Sequence, residues 1–515
     1  MFNLEYLGHA GWLIKNKNFK AICDPWFGPQ GAYYGEWYPF PDNNDLLSKD
    51  IFDDLDFLYI SHVHDDHFDP WVLAKIDKAT QVYIPKFLDK TLISELKLLG
   101  FTNIKELDRN QTEDIKNIKI KIIEDEGYLD ADSCLFLDDG YNKILNLNDC
   151  HMDFSKLKEI TGEIDLLLLQ SSNAIWWPCS YDYDKQKKEN LGSLKRNNLL
   201  KRALKYSKTL NAKHTIPNAG PPIFLSENVD IWNHNRRKES NPFVLMDDAV
   251  SFLQENGVRS HLLIPGDRFI FCDDSDKITL VINEKKHHQI YQNYSLYLRE
   301  YKKTLEKRRT QKEKATQQQV SSLISKFRKQ LLTLRKISKF YVKKIDFPVL
   351  FDFGSKGKWI LDFSTNECLE PFRKQEYNYS FKLDPSTVAL VLKNKCMDFE
   401  RYFLGCNFEC SRNPDEYNEF LFVMLKYFDT KRFLMSESLY AKRSDVLEQT
   451  FNINHKGANY TVQKYCPHMY ADLEKEGYID GEHFVCPLHG WRFNLKDGKC
   501  QDKQHFCLNI RKEKI

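Results

Sequence analysis

The chain of 515 residues is long enough for about three domains, each with a core of its own. A formal net charge of +2 and the lack of any apolar run of about 18 residues exclude a strongly basic nucleic-acid-binding protein and a membrane-spanning one. Thirteen cysteines without regular spacing, after an amino terminus without the basic and apolar regions of a signal peptide, predict reduced thiols in the cytoplasm.

Short strands and helices alternate in the amino-terminal half of the chain. The predicted strands lie at 4–15 (two strands around a glycine-containing turn), 20–23, 57–60, 119–123, 134–137, 143–147 and 166–169. The predicted helices lie at 71–76, 92–99 and 195–210. This alternation is typical of α/β proteins, with sheets in the middle of the fold.

A histidine-rich motif, SHVHDDH from residue 61, follows the apolar strand at 57–60. It places His62, His64, Asp66 and His67 within six positions at the end of a strand. Imidazole nitrogens and carboxylate oxygens together suit zinc, iron or manganese, and the ligand types alone do not choose among them. The spacing predicts a site for one or two metal ions rather than a polar loop with incidental histidines.

Two further carboxylates end predicted strands. Asp24 closes the strand at 20–23 just before a proline, where it can ligate a metal, orient a ligand histidine through its ring N–H, or cap a turn. Asp149 follows the strand at 143–147, and a second carboxylate of this kind is what bridging two metals requires. His214 stands alone, and a lone histidine is more often structural.

The segments GHAG, DPW, HVHDDH and NDC resemble the metallo-β-lactamase fold, which implies two sheets sandwiched between helices. The longer runs DPWFGPQGAYYGEWY, LYISHVHDDHFDPWVLAKI, DADSCLFLDDGYNKILNLNDC and IPNAGPP resemble the lactamase-type domain of the CMP-N-acetylneuraminate hydroxylase family. By this resemblance, residues 1–290 form the metal-binding domain, His9 and Asp24 lie at the rim of the site, and the metal positions are His62, His64, Asp66, His67 and Asp149.

The sequence departs from the usual lactamase pattern at two points. Tyr128 stands near the place where many hydrolases of this fold have a histidine, and Asp130 or Asp132 can substitute as a ligand. The last histidine of the pattern is also missing, since the chain reads PNAG at 217–220. Fewer histidines and more carboxylates favour iron over a zinc pair. Asp66 and Tyr128 are the candidate catalytic residues, and Asp130 is a candidate ligand.

The middle of the chain is basic and helical. Residues 301–344 contain fifteen Lys and Arg against two Glu, and apolar residues recur at helical spacing from 320 to 340. Segment 291–345 is therefore predicted as a helical linker, which either docks by its apolar stripe or approaches anionic lipid or polyphosphate. Segment 346–435 mixes strands and helices and loosely resembles a sterol-carrier-like α+β domain, so a scaffolding role is expected.

A second ligand motif lies near the carboxyl end. Cys466-Pro467-His468 is followed, seventeen residues later, by CPLH at 486–489, with Cys486 and His489 as its ligand types. Two thiolates and two imidazoles hold either a [2Fe–2S] cluster or zinc. The run CPLHGWRF resembles the Rieske signature, which implies that Cys466, His468, Cys486 and His489 bind the cluster. Predicted strands at 451–454, 459–464 and 483–485 fit a small all-β domain at 436–515.

A Rieske cluster transfers single electrons, so its presence implies that the other metal site is redox active. The combination again resembles the CMP-N-acetylneuraminate hydroxylase family, although there the Rieske domain comes first. We therefore predict an iron-dependent monooxygenase that takes electrons from a ferredoxin, a cytochrome or a reductase and hydroxylates the N-acetyl group of a nucleotide-activated sugar. The alternatives are a zinc hydrolase with a redox-sensing cluster, an N-oxygenase acting on an amine, and a non-enzymatic electron-transfer or lipid-binding scaffold.

Overall fold

The computed structural model describes residues 2–48, 50–125, 129, 132–272, 277–308, 317–365, 370–467, 470–488, 490–501 and 506–512. The chain divides into two compact units. The amino-terminal unit comprises Met1–Glu126, Asp130–Ile175 and Lys185–Lys312. The carboxy-terminal unit comprises Gly127–Leu129, Trp176–Asp184 and Glu313–Ile515.

The amino-terminal unit alternates strands and helices, as its sequence predicts. Its strands are β1 (Asn3–Gly8), β2 (Gly11–Lys15), β3 (Lys20–Cys23), β4 (Trp37–Tyr38), β5 (Phe57–Tyr59), β6 (Val82–Pro85), β7 (Ile104–Leu107), β8 (Glu113–Ile115), β9 (Ile118–Glu124), β10 (Ser133–Asp138), β11 (Lys143–Asn146), β12 (Leu166–Gln170), β13 (His214–Asn218), β14 (Ile223–Phe224), β15 (Arg268–Phe271) and β16 (Ile278–Val281). Its helices are α1 (Pro70–Leu73), α2 (Thr91–Leu98), α3 (Phe154–Thr161), α4 (Lys185–Thr209), α5 (Glu227–His234), α6 (Met246–Glu255), α7 (Glu284–His287) and α8 (Tyr294–Arg308), with a 3₁₀ helix at Asn44–Ser48 and a π-helix at His288–Gln292.

Two large sheets organise this unit. One has eight strands in the order β16-β15-β1-β2-β3-β5-β6-β7, and the other has six in the order β13-β12-β11-β10-β9-β8. Strands β3, β5, β6 and β7 run parallel, and so do β11, β12 and β13. Parallel neighbours end at the same edge of a sheet, so the loops that follow β3 and β5 emerge side by side, as do those that follow β11, β12 and β13.

The core of the unit lies between the two sheets. Buried residues of the first sheet, such as Trp12 and Phe57, share one apolar cluster with Ile120, Leu135 and Leu166 of the second sheet. A separate cluster on the outer face of the first sheet holds side chains of α1 and α2. Helices α4 and α6 pack against β12 and β13 of the second sheet. The predicted α/β sandwich of two sheets between helices is therefore confirmed.

Helix α8 extends the amino-terminal unit beyond residue 290, where the sequence places a domain boundary. Its residues Leu298, Tyr301 and Leu305 are buried in a cluster with Phe40 and Ile223. Tyr301 Oη also donates to the carbonyl of Pro39 at 2.7 Å. The first part of the segment predicted as a helical linker, α8, is thus packed within this unit.

The carboxy-terminal unit contains the remaining elements. Its helices are α9 (Gln317–Ile337), α10 (Lys339–Ile345), α11 (Pro385–Lys393), α12 (Phe399–Leu404), α13 (Glu419–Lys426), α14 (Thr430–Leu447) and α15 (Leu473–Glu476). Its strands are β17 (Pro348–Asp352), β18 (Lys358–Asp362), β19 (Glu370–Pro371), β20 (Tyr379–Leu383), β21 (Phe408–Arg412), β22 (Thr450–His455), β23 (Ala458–Gln463), β24 (Tyr478–Asp480), β25 (His483–Cys486), β26 (Trp491–Asn494) and β27 (Ile510–Lys512), and a 3₁₀ helix lies at Gly354–Lys356.

The first part of this unit is an α+β layer around the sheet β19-β18-β17-β20-β21. Helix α9 buries its apolar stripe in it, and Phe327 stacks on Phe428 with ring centroids 5.0 Å apart. The same ring meets Phe351 and Phe399 edge to face. These contacts favour the docked alternative for the basic helix over a lipid-binding one. Helix α14 runs across the boundary that the sequence places at 435.

The last part of the unit is built mainly of strands, as predicted, with α15 as a single short helix among the described residues. It contains the three-stranded sheets β22-β23-β27 and β24-β25-β26. Cys486 is the last residue of β25 and pairs with Trp491 of β26. Among the described residues, the longest helices are too polar to cross a bilayer.

A pair of histidines, one buried and one half-buried, predicts a pH-dependent stability. His214, the first residue of β13, lies 2.9 Å from His261 between ring nitrogens, which agrees with its expected structural role. Burial, together with the nearby His214, lowers the pKa of His261 to about 4. Because the unfolded chain takes up this proton near pH 6.5, folding stability falls as the pH drops from about 6.5 to about 4.

We expect His261→Gln to remove this part of the acid loss. The free energy of unfolding of the variant, measured by urea titration at several pH values, should fall less between pH 7 and pH 4 than that of the wild type. The exposed His288 provides the control, because His288→Gln should leave the slope unchanged. Equal slopes for wild type and His261→Gln would contradict the assignment.

The ring cluster around Phe327 predicts a large loss of stability on truncation. Phe327→Ala leaves a cavity among four aromatic rings and should lower the free energy of unfolding by about 3–5 kcal/mol. Lys329→Ala, on the exposed side of α9, should change it by less than about 0.5 kcal/mol. Urea unfolding of both variants measures the difference.

Candidate metal centre

The candidate site is built at strand ends of both large sheets. Asp24 follows β3, and the loop from Ser61 to His67 follows β5, its parallel neighbour. Asp149 follows β11 in the second sheet. Side chains from the two sheets therefore converge at one edge of the sandwich, where ligands are commonly bound in α/β proteins.

Asp24 anchors the histidine loop through a fully buried carboxylate. Its Oδ1 accepts from the backbone N–H of Ser61 at 2.8 Å, and its Oδ2 accepts from Ser61 Oγ at 2.6 Å. The same Oδ2 lies 3.0 Å from His67 Nδ1. A proton on Nδ1 leaves His67 Nε2 as the lone-pair atom, so Asp24 fixes both the ring orientation and the tautomer that metal binding requires.

Asp66 is held in the same way by two buried side chains. Tyr33 Oη donates to Asp66 Oδ1 at 2.5 Å, and His9 Nε2 donates to Asp66 Oδ2 at 2.9 Å. The backbone N–H of Tyr33 also donates to Asp65 at 2.9 Å, so the loop that contains Tyr33 is attached to the histidine motif. With both oxygens engaged, Asp66 has a fixed orientation.

Two groups of ligand-type atoms result. His62, His64, Asp132 and Asp149 bring one ligand atom each to within 4.8 Å of one another, and His9, Asp66 and His67 form a second such group. His67 Nε2 lies 3.5 Å from Asp149 Oδ2, so the two groups adjoin. Three or four nitrogen and oxygen donors within such a distance match the first coordination sphere of a divalent metal.

The backbone at the site is strained. His9, Asp24 and Asn148 have φ angles of 51°, 38° and 51°, in the left-handed region that costs side-chain-bearing residues about 1–3 kcal/mol. Each of these residues lies at or beside a candidate ligand. Strain of this kind persists where surrounding contacts fix it, and here the contacts are those of the site.

Charge at the site is unevenly shared. Burial opposes ionisation of Asp149, but His67 and His62 outweigh it and hold its pKa well below the usual range. Burial, and then Asp149, raise the pKa of Asp132. Burial and the neighbouring His67 lower the pKa of His62, which favours the neutral imidazole needed for ligation.

The residues present fit a bound metal. His67 Nε2, His9 Nδ1 and Asp149 Oδ1 are buried and accept or donate no hydrogen bond within the described structure. A buried polar atom without a partner costs about 1–3 kcal/mol, and a metal ion relieves this cost for atoms with lone pairs. The donor set of imidazoles and carboxylates suits iron, zinc or manganese.

The structure brings together five of the predicted metal positions: His62, His64, Asp66, His67 and Asp149. Asp132, one of two alternatives for the missing histidine, joins the first group, whereas Asp130 and Tyr128 lie outside the described residues. The contacts of Asp24 favour its orienting role over direct ligation.

Sequence reasoning missed two supporting residues, Tyr33 and Ser61. Their contacts join segments about 30 to 40 positions apart, and no spacing within either segment signals them.

The second motif has a partly described geometry. Cys466 and Cys486 are both buried, and neither forms a disulfide. Buried thiols outside any disulfide are what a [2Fe–2S] cluster requires of its cysteine ligands. His468 and His489 lie outside the described residues.

Three family models match the chain. They are a beta-lactamase superfamily domain at residues 3–172, an Rv3818-like, SCP2-like domain at 323–442 and a Rieske [2Fe-2S] domain at 431–508. The predicted fold classes of the three parts, and the predicted cluster, are thereby confirmed.

Relatives extend these matches. A protein of Mycolicibacterium smegmatis named as a Rieske 2Fe-2S iron-sulfur protein is 30% identical over 519 residues, which cover 96% of each chain. The cytidine monophosphate-N-acetylneuraminic acid hydroxylase of Xenopus laevis is 29% identical over 160 residues, or 28% of this chain and 25% of the relative. The solved structure of CmlA, a diiron beta-hydroxylase from Streptomyces venezuelae, covers 54% of each chain at 18% identity with a TM-score of 0.37, a likeness too slight to bear on function.

We expect Asp24→Asn to weaken metal binding. The amide cannot accept from Ser61 and His67 as the carboxylate does, so His67 loses its orientation and metal affinity should fall about 10- to 100-fold. Competition with a chelator, followed by metal analysis, measures the change. Asp50→Asn, the same substitution at an exposed position, is the control and should keep wild-type affinity. An unchanged affinity in Asp24→Asn would contradict the orienting role.

Proposed function

Since the chain belongs to the family of Rieske 2Fe-2S iron–sulfur proteins that the mycobacterial relative represents, we propose that it is an iron-dependent oxygenase. One observation supports this above all. A domain specialised for single-electron transfer shares the chain with a separate centre of histidines and carboxylates. A purely hydrolytic centre needs no electron supply, whereas reduction of O₂ does.

We assign the groups that would hold the cofactors as follows. His62, His64, Asp132 and Asp149 would hold one iron, and His67 with Asp66 and His9 would complete a second position. Cys466 and Cys486, with His468 and His489, would hold the cluster. When bound, the iron would supply O₂ activation and the cluster would supply electrons one at a time, taken from a ferredoxin, a cytochrome or a reductase.

The protein's own contribution is to fix charge and protons around the centre. Burial and the adjacent Asp66 raise the pKa of Tyr33 well above 10, so its hydroxyl stays protonated and donates a hydrogen bond to Asp66. Burial opposes ionisation of Asp66, but His67 and His9 outweigh it and keep its pKa below the usual range. Asp66 therefore serves as a fixed negative charge, and we assign it a positioning role rather than that of a proton acceptor.

Water exclusion follows from the same packing. His9, His62, Asp66 and His67 are all at most 3% exposed, and Trp26 covers His9 edge to face with ring centroids 5.0 Å apart. Enclosure of this kind strengthens electrostatic interactions and limits side reactions around the group of His9, Asp66 and His67. Such protection is more important for an oxidising centre than for one that uses water as its substrate. In the other group, His64, Asp132 and Asp149 are partly exposed.

For the substrate, we propose a nucleotide-activated sugar whose N-acetyl group is hydroxylated. The support is the 29% identity to a cytidine monophosphate-N-acetylneuraminic acid hydroxylase over 160 residues. The match covers a quarter of the relative's length. The oxygenase proposal does not depend on this match, because it is argued from the presence of two metal-binding motifs in one chain.

Oxygen consumption by the pre-reduced protein tests the oxygenase proposal. We expect anaerobically reduced holoprotein to consume O₂ and to reoxidise its cluster. Asp149→Asn should keep the Rieske spectrum but consume O₂ about 100-fold more slowly, because it removes a candidate ligand. Cys486→Ser should abolish the cluster spectrum and the consumption together.

Asp53→Asn, an exposed substitution of the same kind, should behave as the wild type. Wild-type O₂ consumption in Asp149→Asn would contradict the proposal, because the cluster would then react without the second centre. Turnover of an ester or lactam by the zinc-loaded protein without reductant would instead favour the hydrolase alternative.

A further inference from the structure

Helix α4 carries two buried arginines that differ in their partners. Arg196 donates from Nη2 to Asp248 at 2.8 Å and so has a carboxylate counter-ion. Arg202, which is 5% exposed, forms no ion pair within the part of the chain that the structure describes. Burying a charged group without a counter-ion costs several kcal/mol, so the two arginines call for different explanations.

Arg202 is oriented by two neutral side chains. Its Nη1 donates to His151 Nδ1 at 3.4 Å, and its Nη2 donates to Gln170 Oε1 at 3.3 Å. His151 Nε2 donates to the same Gln170 oxygen at 3.2 Å. These three contacts join Arg202, His151 and Gln170 in one hydrogen-bonded network. Two of the five N–H donors of the guanidinium are used, which leaves three for another group.

This network adjoins the candidate metal centre. His151 lies two residues after Asp149, and the backbone N–H of Gln170 donates to the carbonyl of Asn148 at 2.8 Å. The network is therefore attached on both sides to the segment that presents Asp149. Asp149 is also close enough to Arg202 to act on it electrostatically.

Contact with water does not stabilise the charge of Arg202, because the side chain is buried. The neighbouring Lys201 is exposed and needs no partner other than water, as is typical of the basic face of a surface helix. Burial lowers the pKa of Arg202 to about 10, which still leaves the group charged at neutral pH. A buried, oriented guanidinium with spare donors matches the oxygen atoms of a carboxylate or a phosphate.

We propose that Arg202 binds an anionic group of the substrate, a carboxylate or a phosphate, and so positions the substrate beside the metal centre. The proposal rests on the proposed function only in taking this centre as the place of reaction. His151 and Gln170 act as positioning residues that hold the guanidinium toward the anion.

Calorimetric titration of the holoprotein with inorganic phosphate, and separately with acetate, tests the proposal. The titrations are anaerobic and contain no reductant, so failure of the oxygenase proposal does not affect them. We expect saturable binding of at least one anion by the wild type. Arg202→Gln should weaken that binding at least tenfold, and Lys201→Gln, which removes an exposed charge from the same helix, should leave it unchanged.

A comparison of the two anions identifies the group. Preference for phosphate indicates a phosphoryl group on the substrate, and preference for acetate indicates a carboxylate. Arg202→Lys keeps the charge but loses the planar fork, so we expect intermediate affinity. Thermal unfolding adds a readout of folding, because a bound anion should raise the midpoint of the wild type and of Lys201→Gln but not that of Arg202→Gln.

Two results would overturn the proposal. One is wild-type affinity for both anions in Arg202→Gln, and the other is the lack of saturable binding of either anion by the wild type. If Arg202→Gln fails to fold, Arg202→Lys decides, since wild-type affinity in that variant would show that the fork is not used.

Discussion

The candidate metal centre depends on the hydrogen bonds that the buried carboxylate of Asp24 accepts. This carboxylate joins the end of β3 to the loop after β5 by hydrogen bonds to Ser61 and fixes the ring of His67. Since Asp24 is fully buried, its negative charge is tolerable only with these donors in place. The same carboxylate therefore fixes the position of the loop after β5 and the tautomer of His67. The strain at Asp24 and His9 indicates that packing, rather than local preference, sets this arrangement.

The Rieske motif and the candidate metal centre have complementary roles in electron transfer. A cluster that transfers single electrons needs an acceptor, and an oxygen-activating iron site needs a donor, so their presence in one chain favours an oxidoreductase over a hydrolase. The supporting residues serve the same chemistry, because Tyr33 and His9 fix the negative charge of Asp66. Arg202 adds a positive charge beside this acidic centre, where an anionic substrate would need one.

The sequence predicted the elements that depend on local pattern. Apolar runs located β5, β11 and β12, and the spacing of the histidine motif located four ligand-type residues, because both signals lie within a few consecutive positions. It did not predict Tyr33 or Arg202, whose partners lie far away in the chain. The boundary expected at 290 follows the change to a basic, helical segment, and that change does not reveal that α8 packs into the amino-terminal unit. Long-range pairing, rather than periodicity, decides such features.

Iron accounting in the intact protein tests the central claim most directly. Protein produced with ⁵⁷Fe, purified anaerobically and measured by Mössbauer spectroscopy and metal analysis, should contain a Rieske cluster and additional iron outside it. The spectrum of that additional iron should change on exposure to O₂ after reduction. Stoichiometric zinc at the second centre, with iron confined to the two atoms of each cluster, would contradict the account.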